Sequence, residues 1–121
     1  MSRDGGLTWG PDLRGGEVIT TVDASLIRFS AVQDGDDRDR LMFSGPAGDP
    51  PGSGQGRRHL GIWVSYDEGT TFEAPKVVGG DYGAYSVLQR LDDRTVAVLY
   101  EPTPNTVIRL LVLALDDIEA R

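Results

Sequence analysis

Short runs dense in apolar and β-branched residues alternate along the chain with clusters of turn-forming residues. The runs are EVITTV, ASLIRFSAV, RLMFSGP, LGIWVSY, APKVV, YSVLQRL, TVAVLYE and VIRLLVLAL. Between them lie DGDDRD, GDPPGSGQG, DEGTT, GGDYG, DDR and PTPN, whose Gly, Asp and Pro content suits turns and loops. Short strands punctuated this regularly predict an all-β meander, and no segment carries a sustained helical period. The apolar run 107–115 fits either a buried strand or a helix segment by pattern alone. Its β-branched start, Val107 and Ile108, favours the strand. GDPPGSGQG is too short to separate two domains and reads as a loop between strands.

Composition narrows this picture. At 121 residues the chain suits one domain, and 16 Gly with 7 Pro demand many turns. Twelve Lys and Arg against 19 Asp and Glu give a net charge of −7, with no basic run, so no nucleic-acid partner is expected. The chain has no Cys, which removes disulfides, thiolate metal sites and a cysteine nucleophile but leaves the cellular compartment open. No apolar run approaches the roughly 20 residues of a membrane span, and MSRDGGLTWG lacks the basic-then-apolar pattern of a signal peptide. No membrane span is therefore expected, and no cofactor is expected either.

An internal repeat supplies the first specific signal. Ser2, Asp4, Gly6, Thr8 and Trp9 align with Ser65, Asp67, Gly69, Thr71 and Phe72, 63 positions later, both fitting S-x-D-x-G-x-T-[WF]. In such a hairpin turn the Asp can accept hydrogen bonds from turn amides, the Gly tolerates positive φ, and the aromatic packs between strands. Asp4 and Asp67 thus read as structural. The pattern resembles the Asp-box, or bacterial neuraminidase repeat, of β-propeller proteins. That resemblance implies an all-β fold, a partial six-bladed β-propeller of about two blades of antiparallel four-stranded sheets. It divides the chain into the end of one blade (1–23), a complete blade (24–80) and most of a last blade (81–121). The complete blade would use strands 24–32, 41–45, 60–66 and 74–78, and the last 85–91, 95–101 and 107–115. On this reading the chain is a C-terminal fragment that begins and ends mid-blade, with the remainder of the propeller or another chain needed to complete it.

The residues around the second box are similar to those of exo-α-sialidases. RLMFSGPAG resembles the strand and loop ahead of that family's third active-site arginine, and RRHLGIWVSYDEGTTF the stretch from that arginine through the last box. Gly83-Ala84-Tyr85-Ser86-Val87-Leu88 is similar to the [GA]-Y-S-x-L segment, and Leu99-Tyr100-Glu101 to the closing L-Y-E. The resemblance implies that Tyr85 is the nucleophile, that Arg57 binds the substrate carboxylate and that Glu101 supports another arginine of the cluster. The implied partner is a sialylated glycan. Sialic acid bears its carboxylate on the anomeric carbon, so a neutral tyrosine can approach where a carboxylate would meet like charge. An arginine fork makes paired, charge-assisted bonds to that carboxylate.

Other parts of the family's machinery have no counterpart here: the first-blade arginine, the aspartate acid/base, the glutamate paired with the tyrosine, and the middle arginine. The isolated chain is accordingly expected to be inactive. Two alternatives carry the same boxes, a non-catalytic Asp-box propeller that binds protein or glycan, and a truncated pseudoenzyme. Among the remaining residues, Arg58 reads as structural and His59 as a loop or strand-edge residue. Trp9, Trp63 and Phe72 read as packing, and Asp34, Asp36, Asp37 and Asp39 as a solvated hairpin tip that lacks the Gly and Glu of a calcium loop.

Overall fold

The computed structural model describes residues 1–12 and 18–120. The described elements are β1 (Ser25–Ser30), β2 (Arg40–Pro46), β3 (Leu60–Ser65), β4 (Lys76–Val77), β5 (Ser86–Asp92), β6 (Thr95–Thr103), β7 (Val107–Ala114) and α1 (Leu115–Glu119), with a 3-10 turn at Val32–Asp34. They form two antiparallel sheets in sequence order, β1-β2-β3-β4 and β5-β6-β7, which is the meander the alternating pattern predicts.

Three local expectations change. Residue 17 of the first apolar run lies outside the described residues, and 18–22 form no strand. The run 74–78 contributes only Lys76 and Val77, paired with Ile62 and Gly61; Pro75 just before them has no N–H to donate to a ladder. The run 107–115 is a strand to Ala114, but it is not buried, with Ile108 at 70% and Leu110 and Val112 at 60% exposure. Leu115 leaves that strand to start α1. Leu115 and Ile118 are three positions apart and fully buried, while Asp116 and Asp117 suit the positive end of the helix.

One core joins the two sheets. Phe29, Met42, Leu60, Ile62 and Val64 from the first meet Leu88, Val96, Val98 and Tyr100 from the second, and Leu115 and Ile118 close the cluster. On the other face of β3, Trp63 is buried edge-on against Phe43, whose ring also meets Phe72. Trp63 and Phe72 therefore pack as expected. Trp9 does not. It is 73% exposed, because no described strand flanks the first box to receive it.

Charged pairs lock the sheets and helix together. Arg40 is buried at the start of β2 and donates to Glu119 on α1, to Asp37 and to the Ser30 hydroxyl. The Tyr66 hydroxyl donates to the same Glu119, and Arg38 stacks over the Tyr66 ring. Arg90 on β5 makes a two-pronged pair with Asp36 at 2.8 and 2.9 Å and also donates to the Phe29 carbonyl. Arg90, with help from the Ala31 N–H, holds the Asp36 carboxyl down at about 2. The acidic cluster is thus not merely solvated: Asp36 and Asp37 take arginines, and Asp39 accepts the Val32 N–H. Sequence spacing hides this, because Arg90 lies 54 positions from its partner.

Candidate active site

The two S-x-D-x-G-x-T turns fold alike. In the first, the Ser2 hydroxyl donates to Asp4 Oδ1 and accepts the Gly6 N–H, while Thr8 donates its N–H to Asp4 Oδ1 and its hydroxyl to Asp4 Oδ2. In the second, Ser65, Asp67, Gly69 and Thr71 repeat the same four bonds. The Thr8 hydroxyl is the main cause of the low carboxyl value of Asp4, about 2, followed by the Thr8 N–H and Ser2. Asp67 is lowered by the equivalent groups of Thr71 and Ser65. Both carboxylates are committed as acceptors within their own turn. Each turn passes through two consecutive left-handed residues, Gly5 and Gly6 in one, Glu68 and Gly69 in the other. The non-glycine among these, Glu68, is held by Arg28 on β1.

The second turn joins β3 to β4, and at the other end of β3 lies the loop that carries Arg57. That loop is closed by bonds from the Ala47 N–H to the His59 carbonyl at 2.7 Å and from the Gly48 N–H to the Arg58 carbonyl at 2.8 Å. The Arg57 carbonyl accepts the Gly83 N–H at 3.2 Å, and Arg58 bridges Tyr82. The segment ahead of β5 is thereby laid against the arginine loop. It sits so close that an added Cβ on Gly83 would be 2.9 Å from the Leu60 nitrogen, which only glycine avoids.

Tyr85 immediately precedes β5 and is half exposed. The Arg57 guanidinium carbon stands 5.6 Å from the centre of its ring. Across the ladder, the Tyr85 N–H donates to Glu101 Oε1 at 3.1 Å, and the Glu101 N–H donates to the Tyr85 carbonyl at 3.3 Å. The three residues singled out from the sequence, 28 and 16 positions apart, therefore meet at one end of the second sheet. Tyr85 and Glu101 also border an open cavity of about 230 Å³ on the face of the second sheet, lined with them by Val87, Leu99 and Ile108. A phenol, a guanidinium and a carboxylate at one rim can bind an anionic group and present an oxygen nucleophile beside it. Glu101 touches the Tyr85 backbone, a contact that the sequence reading did not anticipate.

The other candidates fall as follows. Arg58 is an exposed loop residue. His59 has a φ of 56°, adjoins β3 and lies 4.0 Å from Asp49. Among the described residues, no group of three or more His, Asp or Glu is placed to hold a metal ion, and no helix is long and apolar enough to cross a membrane. The sequence reading missed the Arg40, Glu119 and Tyr66 network and the buried pair formed by Ser44 and Ser86. Several of these residues stand in the quoted segments, but no local motif shows which of them pair.

No protein-family model matches the chain. Sialidases from two strains of Vibrio cholerae serotype O1 are 37% identical to it over 117 residues, covering 92% of this chain. The chain spans only 14% of the length of those relatives. Among solved structures, the Hadza microbial sialidase Hz136 superposes with a TM-score of 0.65 at 29% identity, over 80% of this chain and 18% of that one. The two sheets are accordingly parts of a β-propeller whose ring does not close among the described residues.

Proposed function

Since the chain belongs to the sialidase family, as its C-terminal part, we propose that it supplies one side of the active site of a retaining exo-α-sialidase. On this reading the Tyr85 oxygen attacks the anomeric carbon of a terminal sialic acid as the bond to the glycan breaks. Its phenolic proton passes to a base outside this chain, the departing oxygen gains a proton, and water then displaces the tyrosine with net retention. Arg57 grips the sugar carboxylate, and Glu101 supports the site. The observation that carries this is the meeting of Arg57, Tyr85 and Glu101 at one rim.

The chain divides, in this proposal, into the end of a blade at 1–23, a blade at 24–80 and most of another at 81–121. Further propeller sequence covers the open apolar face of the second sheet, where Val87, Leu99, Ile108, Leu110 and Val112 are exposed. The test is hydrolysis of a fluorogenic sialoside by the 121-residue chain and by a version extended upstream to a full propeller, each with and without Tyr85→Phe, after a common folding check. Turnover by the extended protein alone, lowered by orders of magnitude in Tyr85→Phe, is the expected result. An extended, folded and inactive protein would instead favour a binding propeller.

A further inference from the structure

We infer that Ser44 and Ser86 form a positioning pair that sets Tyr85 against Arg57. Their hydroxyl oxygens are 2.7 Å apart, and the residues are 0% and 4% exposed in the contact between the two sheets. Ser86 directly follows Tyr85. Ser44 lies in β2, whose continuation, Ala47 and Gly48, closes the loop that bears Arg57. The hydroxyl bond therefore links the strand of the tyrosine to the strand that leads to the arginine. Two further ties run in parallel, from the Ser86 N–H to the Asp23 carbonyl at 3.2 Å and from the Leu88 N–H to the Ser25 hydroxyl at 3.0 Å.

The physical argument rests on what a buried hydroxyl pair does that alanines would not. One hydroxyl donates to the other, and the pair adds little net stability compared with two apolar groups of similar shape. What it adds is direction and register, since the bond forms only when the two strands are correctly aligned. Tyr85 itself is fixed to β6 through Glu101, which controls its place within its own sheet but not relative to Arg57. The serine pair and the bond from Gly83 to Arg57 supply that second coordinate.

This inference rests on Tyr85 and Arg57 acting as proposed above, and the experiment separates the two claims. In the extended protein, Ser86→Ala leaves the Ser44 hydroxyl buried without its partner and lowers both melting temperature and kcat. The double variant Ser44→Ala/Ser86→Ala removes both hydroxyls and returns the melting temperature toward the parent value. The expected result is that kcat stays roughly 10- to 100-fold low in the double variant, while KM changes little. Recovery of kcat together with melting temperature would overturn the inference, because the hydroxyls would then act only through stability. Tyr85→Phe is measured alongside. If it keeps parent turnover, the functional reading fails. Positioning is then judged by hydrogen exchange of the Tyr85 amide, which the double variant accelerates if the pair fixes that strand and leaves unchanged if it does not.

Discussion

Replacing Arg40 by alanine tests how the short terminal helix is held. Arg40 is 4% exposed, and all five of its guanidinium N–H groups have acceptors: Nε and Nη2 on Glu119 at 3.1 and 3.2 Å, Nη1 on Ser30 and Asp37, and Nη2 on Asp37 as well. The two carboxylates differ. Asp37 is 65% exposed and regains water when the arginine is removed, so its share is small. Glu119 is only 20% exposed, and removal of the cation leaves a largely covered carboxylate, at a cost of about 2–3 kcal/mol. The expected loss is about 3 kcal/mol. With an unfolding entropy of roughly 0.25 kcal/mol/K for a chain of this size, that corresponds to a fall of about 12 °C in melting temperature. Thermal and urea unfolding followed by circular dichroism and tryptophan fluorescence measure it. The double variant Arg40→Ala/Glu119→Ala is expected to be less destabilised than the sum of the single variants by about 1–2 kcal/mol. A single-variant loss below about 1 kcal/mol, or strict additivity, would refute the account of α1 as pinned by this pair.

Two further outcomes follow from the same contacts. Burial, and next the bond to Glu119, push the Tyr66 hydroxyl up to about 12. The folded state therefore favours the neutral phenol, and its contribution is complete below the unfolded value near 10 and lost as pH rises toward 12. Alkaline titration of stability should accordingly be less steep in Tyr66→Phe than in the parent chain, and equal slopes would contradict the assignment. Gly83→Ala drives a methyl against the Leu60 backbone and is expected to cost about 1–3 kcal/mol of stability. Because Gly83 ties the tyrosine segment to the Arg57 loop, sialoside turnover in the extended protein should fall with it, and a parent-like melting curve with parent-like turnover would show that the close approach has no consequence.

What could be read from the chain alone is what depends on neighbours in sequence. The strands and turns follow from alternation and from Gly, Asp and Pro. The two Ser-Asp-Gly-Thr turns are legible because all of their bonds lie within one short segment, from Ser2 to Thr8 and from Ser65 to Thr71. Arg57, Tyr85 and Glu101 were singled out by resemblance, since their types and intervals match a known pattern, and the structure brings them together. The two-residue β4 and the open face of β7 were not, because ladder length and burial depend on what lies alongside a strand.

Tertiary structure decided the rest. It placed Leu115 and Ile118 in the core, paired Asp36 with Arg90 across the sheets, and gave Arg40 its carboxylate 79 positions away. It also closed the contact between Ser44 and Ser86, 42 positions apart. Such pairs leave no periodic trace, since a serine or an arginine has the same local preferences whether its partner is water or a residue on another sheet. Only the packing of one sheet on the other removes the water, and with it the choice of partner.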